Sequence, residues 1–298
     1  MKILITGATG FIGKALCKKL IANGYSIHYL TTSKSKISNE TNLKGFYWNI
    51  ATQEIDLNCF DGVEKIIHLA GATIAKRWTK SYKKEIIDSR VLGCKLIYDA
   101  LTKTKNTVNQ FISASGIDIY PDRDSQVFNE NSKEINPNFL GKVVQLWEKT
   151  ATTFSELNIT VTIVRTGLVY DKTEGAFPEI VNPIRKGFGA ILGNGNQNMA
   201  WVHIQDLVAI YQCVLENKIS GIVNATAPVA ISNKDFTKKI AHFYGKKIWL
   251  PNVPKFIIKL FLGEMHQLLF SNKKVTSKVL ERHSFTFKYT TFDEVLSK

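Results

Sequence analysis

Thr6-Gly7-Ala8-Thr9-Gly10-Phe11-Ile12-Gly13 follows the apolar run Ile3-Leu4-Ile5 and opens a helical pattern carried by Leu16, Leu20 and Ile21. A buried-type strand, a glycine turn spaced G-x-x-G-x-x-G and a helix, in that order, form the context in which such a turn binds a dinucleotide. Gly7 permits the tight turn, Gly10 lets the backbone approach a pyrophosphate, and Gly13 allows close helix–strand packing. The helix beginning here aims unpaired N–H groups and a positive dipole end at an anion. Thr9, Phe11 and Ile12 complete the turn and join the three glycines as cofactor-binding candidates.

The pattern outward from this turn repeats the same alternation. Ile27 to Leu30 is a second strand, reached after the Asn23-Gly24 helix stop. Asn39 to Asp61 is polar and turn-rich around Phe46-Tyr47-Trp48 and predicts one short strand plus a loop. Lys65 to Ala72 reads as a buried strand ending in small residues, Lys80 to Leu101 as a long helix, and Gln110 to Ser115 as a strand ending in hydroxyls. Asn138 to Leu157 predicts a helix and Thr160 to Arg165 a strand. Strands alternating with helices predict a parallel sheet with helices on both faces, its strand ends gathered along one edge. The expected fold is therefore α/β, a Rossmann-type doubly wound sheet with a smaller, mostly helical C-terminal substrate domain. We place the dinucleotide domain at 1–166, with 200–226 returning to the sheet through Trp201 to Ile204, a helix and Ile222 to Ala225. Residues 167–199, rich in glycine, and 227–298 make the substrate side.

Two strand ends bear on the nucleotide. After the second strand comes Thr31-Thr32-Ser33-Lys34-Ser35-Lys36, with hydroxyls and lysines and no carboxylate to hold a ribose 2′-hydroxyl. Thr31, Thr32 and Ser33 thus favour NADP over NAD. Leu69, Ala70 and Gly71 let the backbone lie against the adenosine half. His68, a lone strand histidine, reads as structural.

Composition bounds the rest. The chain has 298 residues, 44% of them hydrophobic and 21% charged, which describes a globular protein and argues against disorder. The net charge of +14 comes from scattered lysines and arginines, without an aromatic–basic signature, so no nucleic-acid partner is expected. The excess still attracts a phosphorylated cofactor or acidic substrate. Cys17, Cys59, Cys94 and Cys213 form no CxxC pair, which fits a reducing cytoplasm. The six histidines form no cluster, so no metal is expected. The segment from Phe256 to Phe270 is interrupted by Lys259 and Glu264 and is too short and charged to span a bilayer, so no membrane partner is expected.

TGATGFIG at 6–13, HLAG at 68–71, SAS at 113–115, Arg165 at a strand end and the glycine-rich element from 193 to 208, with His203 and Asp206, together resemble the extended short-chain dehydrogenase/reductase superfamily. Arg77-Trp78, Asp88-Ser89-Arg90, Trp147-Glu148, Arg165-Thr166-Gly167, Gly193-x-Gly195-x-Gln197, Trp201-x-His203, Asn224 to Pro228 and Leu262 to Met265 are similar to its atypical "epimerase family protein" branch, members of which are labelled oxidoreductases or cell-division inhibitors. The resemblance covers nearly the whole chain and implies an NADP cofactor. One departure is Thr32, where relatives carry arginine; Lys34 or Lys36 then stands in as 2′-phosphate partner. The resemblance places Arg90 and Glu85 on the cofactor side, with Val169 beside them, and makes Gln197 and Trp201 candidates for the substrate pocket. The His203–Asp206 element is expected to shape the junction between the second domain and the sheet.

Superfamily chemistry needs Tyr-x-x-x-Lys on the helix after the serine-bearing strand, the lysine lowering the tyrosine pKa. Aligned on Trp147-Glu148, those positions hold Leu140 and Val144, which exchange no proton; with Val143 and Trp147 they make an apolar stripe. Ser115 and Tyr120 remain as catalytic candidates. The expected protein is an NADP-binding oxidoreductase on an unidentified small molecule, the alternative being a non-catalytic NADP-dependent binding or regulatory protein. A homodimer is compatible with either.

Overall fold

The computed structural model describes residues Met1–Ser297. Seven parallel strands form its frame: β1 (Lys2–Thr6), β2 (Ser26–Thr31), β3 (Leu43–Asn49), β4 (Val63–His68), β5 (Gln110–Gly116), β6 (Thr160–Thr166) and, after three short strands and further helices, Gly221–Ala225. Their spatial order is β3-β2-β1-β4-β5-β6 followed by Gly221–Ala225, with Asn39–Glu40 and Glu54–Ile55 adding antiparallel ends to β3 to make nine strands. The chain winds one way from β1 to β3 and the other from β4 onward, which opens a crevice at the carboxyl ends of β1 and β4.

Side-chain alternation builds two cores at once. In β1, Ile3 and Ile5 face one helical layer and Leu4 the other. On the first side α1 (Phe11–Ala22) contributes Leu16, Cys17 and Leu20, while Leu207, Tyr211 and Val214 come from the helix Ile204–Glu216. On the second side α2 (Lys80–Lys103) contributes Cys94, Ile97 and Leu101, and Phe111 stacks on Phe154 at 3.7 Å. α3 (Phe139–Thr152) starts at Asn138, whose side chain accepts from the Gly141 N–H at 2.8 Å. It ends sooner than expected, passing at Thr153–Leu157 into a 3-10 turn.

Two further expectations are corrected. The region around Phe46 is a full seven-residue strand pairing with β2, because Phe46 and Trp48 alternate into the core. Trp201–His203 does not rejoin the main sheet. It becomes β8, pairing in parallel with β7 (Leu168–Tyr170), and only the following α5 (Ile204–Glu216) and β9 (Gly221–Ala225) return. Within the glycine-rich stretch, α4 (Ala176–Arg185) forms although Pro183 lies inside it. α4 packs with α6 (Asn233–Phe243) around an aromatic centre in which Phe292 meets Tyr170 at 5.0 Å and Trp201 at 5.6 Å.

Asp206 joins this second core to the first. It is buried in α5, and its two carboxylate oxygens accept the backbone N–H groups of Lys288 (2.8 Å) and Tyr289 (3.0 Å). This agrees with a role at the junction. Asp206→Ala leaves both amides without their acceptor, at about 1–3 kcal/mol each. Urea unfolding is expected to show a loss of several kcal/mol and earlier proteolysis of the C-terminal segment; an unchanged midpoint would refute the latch.

Candidate functional site

The glycine turn is shaped by backbone contact. Gly7 has φ +70°, and a Cβ there would stand 3.0 Å from the Ala70 nitrogen and the Leu69 carbonyl carbon at the end of β4. A Cβ on Gly13 would stand 2.2 Å from the Gly7 carbonyl oxygen, inside any tolerable contact. The Gly10 N–H donates to that same oxygen at 3.0 Å. α1 therefore begins directly over the crevice, with no side-chain cap and no acidic residue in its first turn. Such an N-terminus fits a diphosphate. Phe11, Ile12, Leu69 and Val169 share the adjoining apolar cluster, so the turn, the HLAG loop and β7 do come together. The Phe11 ring lies against the backbone of Gly175, the exposed N-cap of α4.

At the carboxyl end of β2, Thr31 is buried and its hydroxyl accepts the Ser33 N–H at 3.2 Å. Thr32 is exposed, and Lys34 to Lys36 form a 3-10 turn with Lys34 Nζ 4.9 Å from the Tyr47 ring centre. Arg90 lies where α2 passes the HLAG loop. Its guanidinium rests against Gly71, donates to the carbonyls of Ala72 (3.1 Å) and Ile86 (3.0 Å) and lies 5.0 Å over the Trp147 ring. Among the described residues no carboxylate pairs with it, and desolvation pulls its pKa down to about 10. Glu85 is exposed on the same helix, and its side chain makes no hydrogen bond among the described residues. α3 turns Leu140, Val143, Val144 and Trp147 inward as one buried face, with Val144 close beside Gly116 at the end of β5.

A buried polar network runs behind this wall. Ser115 Oγ donates to Glu148 Oε1 at 2.6 Å. Arg165 Nε and Nη2 donate to the two oxygens of that carboxylate at 2.8 and 2.7 Å. Arg165 Nη1 reaches the Tyr120 hydroxyl at 2.8 Å, and that hydroxyl donates to Asn224 Oδ1 at 2.9 Å. Tyr120 has no solvent exposure, and burial raises its pKa. Its candidacy as a catalytic acid is thereby corrected: the ring is packed on Phe128 and the hydroxyl is consumed. Ser115 stands at the sheet edge as expected, with its proton committed to Glu148. The Ser115–Glu148–Arg165 chain escaped the sequence reading, since nothing in the spacing of three residues on three elements announces it. Lys273 was likewise missed; it is buried and donates to Asp122 at 2.6 Å and to Ser271.

The two substrate-pocket candidates are corrected as well. Trp201 is 1% exposed, with its indole N–H donating to the Val229 carbonyl at 2.9 Å inside the second core. Gln197 is buried, its amide donating to the Leu192 carbonyl at 3.1 Å and its own carbonyl accepting from Asn233. In this arrangement both side chains brace loops. His203 caps α5, accepting the Gln205 N–H at 3.2 Å.

Comparison with known proteins places these features in context. The model of the NAD dependent epimerase/dehydratase family matches residues 3–226, and one described as a domain of unknown function, DUF1731, matches residues 253–298. The chain is 31% identical over 293 residues to the chloroplastic epimerase family protein SDR39U1 homolog of Arabidopsis thaliana, covering 97% of this chain and 84% of that protein. It is 30% identical to epimerase family protein YfhF of Bacillus subtilis, covering 100% and 97%. The crystal structure of human epimerase family protein SDR39U1 (isoform2) with NADPH superposes with a TM-score of 0.84 at 23% identity, covering 99% of this chain and 98% of the human one.

His68 ends β4 behind the HLAG loop, fully buried, with Nδ1 2.8 Å from the Thr6 hydroxyl. Burial first and the Arg90 charge second lower its pKa from 6.5 to about 4. Between those values the unfolded chain holds a proton that the folded chain refuses, so stability falls as pH drops from 6.5 towards 4. The full effect is ~3 kcal/mol. Urea midpoints measured across this window are expected to slope less in His68→Gln than in the parent; equal slopes would remove His68 as the cause.

Proposed function

The chain belongs to the NAD dependent epimerase/dehydratase family, and from that premise we propose that it is an NADP(H)-dependent oxidoreductase of a small molecule that works without a Tyr-x-x-x-Lys pair. The observation that carries this reading is the contrast across the crevice. The backbone cradle is formed in full, with Gly13 closed on Gly7 and α1 uncapped, while the opposing face of α3 is Leu140, Val144 and Trp147.

The groups of this chain divide the work as follows. The turn from Gly7 to Gly13 holds the diphosphate through backbone N–H groups, and Leu69 to Gly71 bear on the adenosine half. Thr31 to Ser33, with Lys34 and Lys36 and no carboxylate, accept a 2′-phosphate, for which two cations and three hydroxyls are better suited than for a bare ribose. That the human relative was crystallised with NADPH supports the choice. Arg90, unpaired by any carboxylate, binds cofactor phosphate or ribose. When bound, the nicotinamide supplies or takes a hydride. Leu140, Val144 and Trp147 keep bulk water from that ring. Ser115 meets a substrate as a hydrogen-bond acceptor, because its own proton is held by Glu148 at 2.6 Å. The proton at the substrate oxygen comes from water, since Tyr120 is sealed.

Two measurements test this. In thermal-shift titrations NADP(H) at one hundred times its Kd is expected to stabilise the protein by about 2.7 kcal/mol and NAD(H) at the same concentration by less, and Lys34→Glu/Lys36→Glu is expected to narrow the difference. Equal shifts for the two cofactors would sink the NADP assignment. NADPH consumption is then followed against aldehydes, ketones and quinones. Turnover is expected with at least one, and Tyr120→Phe should leave kcat/KM within about tenfold, whereas loss of a true proton donor costs about 10²–10⁴. Tight NADPH binding with no turnover across the panel would favour a non-catalytic, cofactor-dependent regulatory protein.

A further inference from the structure

α7 (Lys255–Leu262), sequence KFIIKLFL, is an inverted surface helix. A helix on a water-facing surface ordinarily hides its apolar stripe. Here none of its residues is buried, and Phe256, Leu260 and Phe261 are 71%, 79% and 73% exposed. At 3.6 residues per turn those three side chains occupy about 140° of arc on the outer face. Ile258 and Leu262 on the opposite side are half-buried. Lys259 flanks the apolar face, while Lys255, one turn before it, lies on the far side with its Nζ 5.6 Å from the Phe270 ring centre. Trp249, 67% exposed, precedes the helix in the same segment. From Gly245 to Leu262 there are four lysines and no aspartate or glutamate, in a chain of net charge +14.

We propose that α7 is a membrane-surface helix that lies in the headgroup region of an anionic bilayer, with Phe256, Leu260 and Phe261 inserted, Lys259 at their flank against lipid phosphates, and Lys255 behind it adding to the positive charge near the surface. Among the described residues no helix is long and apolar enough to cross a membrane. Lying on the interface is a different act. The charges that interrupt a spanning segment are the ones that hold a short amphipathic helix at a negative surface. Charge also decides against a second copy as the occupant. A two-fold contact through this face brings lysine to lysine with no carboxylate in the segment to answer them. The helix is only about 12 Å long, and its three outward side chains fall well short of the ~800 Å² per partner of a stable interface.

The test is co-sedimentation of the full chain with vesicles of phosphatidylcholine alone and of phosphatidylcholine mixed with phosphatidylglycerol. Binding is expected to the mixed vesicles, weakening as salt rises. Lys255→Glu/Lys259→Glu should lower it by roughly fivefold or more for each lysine reversed. Phe256→Ser/Leu260→Ser/Phe261→Ser should abolish it. All three side chains are exposed, so the triple variant is expected to keep its NADP(H) thermal shift, which checks that the fold is intact. Equal binding to neutral vesicles, no binding to anionic ones, or undiminished binding of the triple variant would each overturn the proposal. So would a concentration-dependent dimer in light scattering that the triple substitution dissolves, which would give the face to a second copy.

Discussion

The contact on which the rest depends is the closure of Gly13 onto the Gly7 carbonyl, where a single methyl group would overlap that oxygen at 2.2 Å. This approach lets α1 leave β1 at a steep angle and settle against the sheet through Leu16 and Leu20. It aims the start of the helix at the crevice between β1 and β4. Phe11, one residue beyond Gly10, meets Gly175 at the start of α4, the helix whose Phe177 and Val181 enter the second core. A substitution in the turn therefore acts on helix placement, anion binding and the docking of the two cores together.

A second constraint is electrostatic. Glu148 and Arg165 sit with 13% and 7% side-chain exposure, and isolated charges at such depth are costly. They are tolerated because nearly every polar atom is used: the carboxylate takes two guanidinium N–H groups and the Ser115 hydroxyl, and the remaining guanidinium nitrogen takes Tyr120. Removing either partner strands the other, a loss of about 3–5 kcal/mol for buried pairs. The network ties β5, β6, α3 and, through Asn224, β9. Two residues that looked chemical in the sequence are, in this arrangement, rivets of the sheet edge.

The parts legible in the sequence are those carried by repeating local signals. The apolar runs of β1 and β4, helical periodicity in α1 and α2 and the glycine spacing each depend on neighbours a few residues away, and each is found where expected. The strand through Phe46 and Trp48 was underestimated because its flanks are polar; packing under α2, contributed about fifty residues later, makes it seven residues long. Trp201–His203 had the right composition for the main sheet, but β7 reaches it first. For Gln197, Trp201 and Tyr120 the residue types suggested recognition or chemistry. Burial decides otherwise, and burial of a single side chain is set by residues far apart in the chain. Arg90 is the opposite case: α2 passes back along the HLAG loop and sets its guanidinium beside Gly71.

Cofactor binding and acid–base catalysis make different demands on a chain, so a fold can keep the geometry for one without the residues for the other. The cradle is made mostly of backbone, so it survives wherever a few glycines and the strand–turn–helix geometry survive. Proton transfer needs two ionisable side chains on one helical face, and a change at either position removes it without disturbing the fold. α3 illustrates this. Leu140 and Val144 fill their places as buried apolar residues, next to Val143 and Trp147, and strengthen the packing between α3 and its neighbours. Tyrosine and lysine at those positions would ask for hydrogen-bond partners that this wall does not offer. On the function proposed above, this dry face of α3 suits a reaction in which the hydride is managed by the site and the proton is left to water.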